Sequence, residues 1–346
     1  MRVSTTLQDI ADKLDLSRTT ISLALRDHPR ISRATKDKVR AVAKKIGYEP
    51  NQAARSLATG RSNLIGVLVP DSTNPYYADV FRGIEDAARG ADYHVILANG
   101  TYDLDCEAER MKELMSLRVS GVIAAPAFRA EKVRLPRFWD ELRRSRFPLV
   151  ILNRQFVPPI FHQVSDDNVS GVRMAIEALA SFGHHRVAYI SGIPTTVPAR
   201  QRLAAFRCFA RKYGLDSDHE LIERAALGPR GGYEACHRLW PAVKKKPTAI
   251  MTLSDAEAIG VLRYLREQEV RVPLDVSVMG YGNFDISEYS AVSLSTISTP
   301  RREEGKQAVE LLIRITHKRP ACPQNIILPV RLLLRESVGP ARSTRN

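Results

Sequence analysis

The first fifty residues show apolar positions at helical spacing in three short segments. The first segment opens with Thr6, which has Asp9 three positions later and so forms a capping-box start. Its apolar positions, three or four residues apart, are Leu7, Ile10, Ala11 and Leu14. The pattern predicts a helix that begins near Thr6 and ends near Leu14.

A tight turn and two more helices are predicted next. Asp15 tolerates a left-handed backbone, and Ser17 is a good N-cap for a second helix from about Arg18 to Leu25. Its inward positions are Ile21, Ala24 and Leu25, and its outward positions are Arg18, Thr19, Ser22 and Leu23. The third helix starts at the cap Ser32 and is marked by Val39, Val42, Ala43 and Ile46.

This arrangement is typical of a helix-turn-helix whose second helix enters the major groove of DNA. A small three-helix bundle that binds protein is the alternative. Arg18 and Thr19 stand at the start of the second helix, where base edges are met, and an arginine bonds guanine through two hydrogen bonds. Thr20 and Ser22 carry short hydroxyls suited to phosphate or base contacts. The residue types therefore favour DNA over protein as the partner.

Positive charge is concentrated in the same segment. The 346-residue chain has a net charge of +14, and residues 1–62 hold thirteen Lys and Arg against six Asp and Glu, which is half of the excess. This balance favours an anionic partner, although charge alone does not separate nucleic acid from a membrane surface. No run reaches the roughly 18 apolar residues of a membrane span, and the amphipathic, acid-containing N-terminus is unlike a signal peptide. We expect a cytoplasmic protein with no membrane partner.

From Asn63 onward, short apolar runs alternate with amphipathic helical stretches. The runs are LIGVLV, YHVILA, GVIAA and PLVIL, and then RVAYIS, AIMTL and VSVMG. Continuous apolar strands separated by helices predict parallel sheets with helices on both faces. Two such sheets in series form two lobes, and a ligand is expected in the cleft that their strand ends face. The expected fold is an all-α helix-turn-helix domain followed by an α/β core of two doubly wound lobes.

The N-terminal segment resembles the signature of the LacI/GalR family of bacterial transcription regulators. The resemblance runs without a gap through nearly sixty residues, TTLQDIADKLDLSRTTISLALRDHPRISRATKDKVRAVAKKIGYEPNQAARSLATGRS. It departs at Asp15, where the family usually has glycine, and at Leu23, which changes a base-reading position, so the operator sequence is not transferable. The DNA-binding residues that the resemblance implies are Thr6, Ser17, Arg18, Thr19, Thr20, Ser22, Leu23, Ser32, Asn51 and Leu57.

A short segment follows the third helix. Pro50 ends that helix, Asn51 can cap residues 52–58, and Gly60 stops them. So short a segment is not helical alone. In the family it becomes helical when two subunits pair on DNA, and the resemblance implies that Leu57 is then wedged into the minor groove. A plain interdomain linker is the alternative.

The likeness continues through the periplasmic-binding-protein-like core of the same family to residues 326–337. It implies a DNA-binding domain at 1–49, a hinge at 50–62, an effector-binding core at 63–338 and a polar tail at 339–346. The N-lobe is expected at about 63–160 and 293–321, and the C-lobe at about 161–292 and 322–338. The implied protein is a homodimeric repressor of transcription, whose affinity for double-stranded operator DNA is controlled by a small molecule in the cleft.

The same resemblance implies a set of effector-binding residues in this cleft. The paired aromatics Tyr76 and Tyr77 can stack on a ligand, and Arg202 in ARQRLAAF matches the family arginine that reaches it. The full set is Asp71, Asn74, Tyr76, Tyr77, Asn153, Arg154, Asp167, Arg202, Asp255 and Asn283. For each of them, a helix cap or a polar surface group is the alternative interpretation.

One departure concerns the ligand. After VSVMG the family usually continues with an aromatic residue, Asp, and then Asp or Asn, whereas this chain has Tyr281, Gly282 and Asn283. Ser254 also replaces the usual asparagine. The missing aspartate often bonds sugar hydroxyls or a purine, so its absence argues against a standard sugar. A sugar or sugar derivative remains the first hypothesis for the effector.

Other functions have weaker support in the sequence. Dinucleotide-binding, phosphate-loop, zinc-protease and nucleophile-elbow motifs are absent, so we expect no enzyme. The four cysteines are widely spaced and are expected to be reduced thiols, with no metal or cofactor. His184 and His185 lie where the family often has Gly-His, which favours packing over ligation. An α/β enzyme or a small-molecule receptor that uses the same cleft is the alternative.

Overall fold

The computed structural model describes residues 5–25, 27–48, 62–127, 135–192, 197–318 and 322–342. The chain divides into two compact units, residues 1–62 and 63–346. Each unit has its own hydrophobic core, so each is described by itself.

The first unit contains three helices around one small core. They are α1 (Leu7–Leu14), α2 (Arg18–Leu25) and α3 (Arg33–Lys45). Their apolar stripes converge on six buried side chains, which are Ile10, Ala11, Ile21, Ala24, Val39 and Ala43. Asp15 has the left-handed φ of 52° that the turn between α1 and α2 needs. The predicted helices and the turn are therefore confirmed, although Leu25 is only partly buried.

The second unit consists of two lobes, each built on a six-stranded sheet. The N-lobe strands are β1 (Leu64–Val69), β2 (His94–Asn99), β3 (Gly121–Ala124), β4 (Leu149–Leu152), β5 (His162–Asp166) and β11 (Asn325–Leu328). The C-lobe strands are β6 (Val187–Ser191), β7 (Ile222–Arg224), β8 (Ala249–Thr252), β9 (Ser277–Gly282), β10 (Ser295–Ser298) and β12 (Arg331–Leu333).

Nine α-helices of the second unit lie in the part of the chain that the structure describes. In chain order they are α4 (Pro75–Gly90), α5 (Leu104–Ser116), α6 (Arg137–Ser145), α7 (Asn168–Ser181), α8 (Val197–Lys212), α9 (Pro229–Ala242), α10 (Asp255–Glu267), α11 (Asp285–Glu288) and α12 (Arg301–His317). A 3-10 turn at His219–Leu221 precedes β7.

Successive residues of the central strands enter two different cores. In β1, Ile65 and Val67 pack with side chains of α4 and α12, whereas Leu68 packs with those of α5 and α6. In β6, Tyr189 and Ile190 are divided between two cores in the same way. This two-sided burial explains why the strands consist of unbroken apolar runs rather than alternating ones.

Both sheets have the same strand order. It is β11-β5-β4-β3-β1-β2 in the N-lobe and β12-β10-β9-β8-β6-β7 in the C-lobe. Every strand pair is parallel except β10 with β12. Since parallel strands end at one edge of a sheet, the loops that follow them collect there, as expected for a ligand site.

The lobe boundaries lie later in the chain than expected. Strand β5 pairs with β4 in the N-lobe, β10 pairs with β9 in the C-lobe, and β11 pairs with β5 in the N-lobe. The predicted crossings near 160, 292 and 321 are therefore wrong, because the chain completes one more strand of the lobe it occupies before each crossing. The crossings fall after Asp166, Ser298 and Leu328. Strands β5 and β10 carry the polar stretches HQVSD and STIS, which lack the apolar run used to recognise strands.

Candidate functional site

Two candidate surfaces emerge, one on each unit, and the first is the start of helix α2. Arg18 and Thr19 are exposed there, while Thr20, Ser22 and Leu23 are half-buried. The helix is held from beneath by Ile21 and Ala24, which are fully buried. These side chains therefore form an outward face on a helix whose opposite face is fixed by the core.

Three residues predicted to bind DNA are also helix N-caps. The Thr6 hydroxyl accepts from the backbone N–H of Asp9, whose carboxylate accepts from the Thr6 N–H in return. The Ser17 hydroxyl accepts from Thr20 N at 3.0 Å, and the Ser32 hydroxyl accepts from Thr35 N at 3.2 Å. Each cap satisfies a backbone donor at a helix start. DNA contact by the same residues remains a prediction.

The turn after α2 is fixed by ion pairs to α3. Asp27 has a φ of 57°, and its carboxylate lies 3.1 Å from both Lys36 Nζ and Arg40 Nη2. The neighbouring lysine lowers the pKa of Asp27, so it stays ionised. This contact holds the end of α2 against α3. Asn51 and Leu57, the two predicted hinge residues, lie outside the described residues.

The second candidate site is a cavity of about 540 Å³ in the core, between the two lobes. Its N-lobe wall is formed mainly by Asp71, Thr73, Asn74, Tyr76, Tyr77, Tyr102, Asn153 and Arg154. Its C-lobe wall is formed mainly by Pro198, Ala199, Arg202, Leu227, Gly228, Leu253, Ser254, Glu257, Ile259, Tyr281, Gly282 and Phe284. Seven of the ten predicted effector residues line it, and Asp167, Asp255 and Asn283 do not.

The aromatic part of the N-lobe wall comes from the first turn of α4. Asn74 caps this helix by accepting from Tyr76 N at 3.0 Å, and Pro75 occupies the position where no donor is needed. The rings of Tyr76 and Tyr77 meet edge to face at 5.1 Å between centroids. The Tyr76 hydroxyl donates to the buried carboxylate of Glu304 on α12. The capped helix therefore fixes both rings at the cavity surface.

Arg202 enters the cavity from α8 and is tied to both lobes. It donates to Asn168 Oδ1 at 2.6 Å and to the carbonyl of Leu253 at 2.9 Å, and it pairs with Asp166 at 3.5 Å. Its guanidinium also lies 3.6 Å from the ring centroid of Tyr281. Burial raises the pKa of Asp166, and the charge of Arg202 opposes that shift. Because Asp166 ends an N-lobe strand, this arginine links the cavity to a lobe crossing.

Arg154 has a different environment. It is 2% exposed, follows β4, and donates from Nη1 to the carbonyl of Asn153 at 2.8 Å. Among the described residues, its Nε has no hydrogen-bond partner. Asn153 has a φ of 53°, and its side-chain oxygen is likewise without a described partner. These two residues place unsatisfied polar atoms at the cavity.

Behind Arg154 lies a buried carboxyl group that the sequence did not reveal. Glu107 is fully buried, and its Oε1 accepts from the N–H of Ala127 at 2.7 Å. Burial raises the pKa of Glu107 to about 7, although the Ala127 N–H and the charge of Arg154 act in the opposite direction. A single acidic residue on an amphipathic helix gives no sequence signal of this kind. Near neutral pH the group is therefore only partly ionised.

The three predicted residues that do not line the cavity make hydrogen bonds within the fold. Asp167 caps α7 by accepting from Ser170 N, as the alternative interpretation held. Asp255 accepts from Phe284 N, Ser287 Oγ and Thr296 Oγ1, so all its acceptor capacity is turned inward. Asn283 Oδ1 accepts from Arg335 at 2.8 Å. All three side chains therefore accept hydrogen bonds from neighbouring groups of the fold.

The histidine pair and several absences can be stated in structural terms. The ring nitrogens of His184 contact Thr248 Oγ1 and the carbonyl of Gly339, both at 3.0 Å, in a buried position. Within the described ranges, no group of three or more His, Cys, Asp and Glu side chains could hold a metal ion. No helix in those ranges has the length and apolar character needed to cross a membrane.

The protein has a three-helix domain of the helix-turn-helix type and a core whose two lobes enclose a cleft. This combination defines the class of ligand-controlled DNA-binding regulators. Residues 6–51 match the lacI family of bacterial regulatory proteins, and residues 176–338 match a periplasmic binding protein-like domain. The HTH-type transcriptional repressor PurR of Mannheimia succiniciproducens is 30% identical over 96% of this chain and 98% of its own.

Solved structures agree with these sequence matches. A lac repressor dimer bound to operator covers 97% of this chain and 99% of its own at 24% identity, with a TM-score of 0.88. A LacI family regulator from Enterococcus faecium with bound ribose covers 81% of this chain and 100% of its own at 28% identity, with a TM-score of 0.70. The chain belongs to the lacI family of bacterial regulatory proteins, and it is a DNA-binding transcription regulator. The predicted family and fold class are confirmed.

Proposed function

We propose that the protein is a cytoplasmic repressor that binds a pseudo-palindromic operator as a homodimer. Residues 1–49 would read the bases, and Arg18 and Thr19 at the exposed start of α2 would make the main base contacts. One such reading head contacts too few bases for selectivity, which is why a dimer is proposed. The operator-bound dimer of the lac repressor supports this assembly. The main support for the proposal is that Arg18 and Thr19 are exposed at the start of α2, while Ile21 and Ala24 anchor the same helix in the core.

The cavity would hold the effector that controls this binding. Its volume of about 540 Å³ is within the range of small-molecule sites, and a related regulator is described with ribose bound. A ligand between the lobes would favour one angle between them and so change the spacing of the two hinge segments at 50–62. Asn51 and Leu57 would take part at that hinge. The proposal assigns the cavity to binding rather than to catalysis.

Selection of duplexes from a random pool by the purified full chain tests the proposal. We expect enrichment of a site with two related half-sites about one helical turn apart, followed by a footprint that covers both. The footprint should weaken steeply as salt rises, because phosphate contacts release counterions. A pool that shows no enriched sequence after repeated rounds would contradict the proposed function.

A further inference from the structure

The cavity contains a buried cation, Arg154, that forms no ion pair within the part of the chain that the structure describes. Arg202 has a carboxylate partner, Asp166, but no carboxylate lies within ion-pair distance of Arg154 among the described residues. The Arg154 side chain is 2% exposed and lines the cavity, and its Nε lacks an acceptor. A buried charge without a partner is costly, and proteins keep such groups mainly where a ligand completes them.

Two carboxylates that line the cavity accept hydrogen bonds from local donors. Glu257 accepts from the N–H of Gly228 and from the Ser254 hydroxyl, and burial raises its pKa. Asp71 accepts from the N–H and the hydroxyl of Thr73 at the half-exposed mouth of the cavity. Neither carboxylate forms an ion pair with Arg154.

At the turn after β9, the opposite wall has a glycine and not an acidic residue. Gly282 lines the cavity with a φ of +131°, and a Cβ built there would lie 3.1 Å from the Phe284 ring. An aspartate would be strained at this backbone conformation. Position 282 therefore supplies no acidic side chain to this wall.

We propose that the effector carries a carboxylate or phosphate group and that Arg154 binds that group. The guanidinium presents a planar fork of donors that matches both anions. The remaining lining, with Tyr76, Tyr77, Tyr281 and Phe284, suits a ring or an apolar body. A sugar acid or a sugar phosphate combines both features. This inference rests on the proposed function, because it names the chemical class of the effector in the same cavity.

The first test follows the Arg154 Nε–H resonance by NMR in the full chain labelled with nitrogen-15. The resonance is assigned as the one missing in Arg154→Met. Sodium acetate, sodium phosphate and glucose are added separately, with sodium chloride holding the ionic strength constant. We expect acetate or phosphate to shift this resonance and glucose to leave it in place, and the stronger anion identifies carboxylate or phosphate as the preferred group. No response to either anion would overturn the proposal.

The second test measures thermal unfolding of Arg154→Met. If the arginine serves a ligand, then the variant without added anion melts at the same temperature as wild type or higher, because a costly buried charge is gone. The stabilisation by the stronger anion should fall, with its apparent Kd weakened about ten- to hundred-fold. Arg137→Met, which removes an exposed charge from α6, should keep the wild-type anion response. A lower melting temperature with an unchanged anion response would assign Arg154 a structural role and overturn the proposal.

The two proposals fail separately. A protein that selects a duplex but shows no anion response at Arg154 contradicts only the acidic effector. A protein that responds to anions but selects no duplex contradicts the proposed function and leaves the anion site standing.

Discussion

Two buried arginines line opposite walls of one cavity, yet they differ in what their guanidinium groups contact. Arg202 is held by Asn168, the Leu253 carbonyl and Asp166, and it stacks on Tyr281. Arg154 donates to the backbone carbonyl of Asn153 and to the hydroxyl of Tyr77, and it has no carboxylate partner among the described residues. The family resemblance marked both as effector residues. These contacts indicate that Arg202 also supports the fold where the lobes cross, whereas we propose that Arg154 binds the effector.

The largest expected difference between Arg202 and Arg154 is the effect of their substitution on the free energy of unfolding. Arg202→Met leaves Asp166 buried without its cation, and breaking such a pair costs about 3 to 5 kcal/mol of unfolding free energy. Protonation of Asp166, whose pKa burial already raises, offsets part of this cost. Denaturant unfolding of wild type and Arg202→Met measures this loss of unfolding free energy.

A double variant provides the control for this prediction. Asp166→Asn combined with Arg202→Met should recover part of the lost stability, since the unpaired charge is then absent. If Arg202→Met is as stable as wild type, then its contacts with Asp166 and Asn168 do not support the fold, and the two arginines are equivalent.

The pH dependence of stability tests the environment of Arg154 through its neighbour Glu107. Glu107 has a pKa of about 7 in the folded chain, and its ordinary value is 4.5. Between these values the folded state keeps a proton that the unfolded state releases, so stability falls as pH rises from 4.5 to 7 and levels off above that. The contribution is about 3 kcal/mol.

Glu107→Gln should remove this pH dependence, because glutamine keeps an acceptor for Ala127 N but does not titrate. In Arg154→Met the levelling should move to higher pH, because the arginine charge no longer lowers the pKa of Glu107. Unfolding free energies measured from pH 4.5 to 8 in the three proteins give the comparison. An identical slope in Glu107→Gln and wild type would show that Glu107 is ionised throughout.

The smallest expected effect concerns a hydrogen bond next to Arg202 that joins the lobes. Gln201 Nε2 donates to Gln155 Oε1 at 3.1 Å, and Gln201 Oε1 accepts from Asn168 at 3.2 Å. Gln201→Leu should cost about 1 kcal/mol, since the site is only partly buried and water replaces part of the loss. Gln307→Leu removes an amide that bonds within one helix, and it should cost less. Equal losses in the two variants would indicate that the bond across the lobes contributes nothing of its own.

The sequence predicted most of the fold because local and global signals agree there. In the first unit, the caps at Thr6, Ser17 and Ser32 and the left-handed Asp15 mark the helix boundaries that the structure shows. Strands β5 and β10 were missed, since polar stretches such as HQVSD lack the apolar run that identifies a buried strand. Because those strands were missed, the predicted lobe boundaries were placed too early in the chain.

The candidate cavity was predictable only in part, for a different reason. Position after a strand places a residue near the cavity, and this was sufficient for Tyr76, Asn153 and Arg154. It does not show whether nearby donors already occupy a side chain, as three of them do at Asp255. Glu107 and Glu304 gave no signal because their burial depends on packing between helices and sheet. Only the three-dimensional structure therefore shows which polar side chains are already hydrogen-bonded within the protein.

Sequence-specific binding through helix α2 is the central claim, and one titration tests it most directly. Fluorescence anisotropy compares the selected duplex with a scrambled duplex of equal composition at fixed salt, using wild type, Arg18→Ala and the exposed-charge control Arg137→Ala. We predict that wild type and Arg137→Ala prefer the selected duplex by at least about a thousandfold. Arg18→Ala should lose about ten- to a hundredfold of that preference, because a two-bond contact to guanine is removed. Wild-type affinities that agree within about tenfold for the two duplexes would contradict the claim.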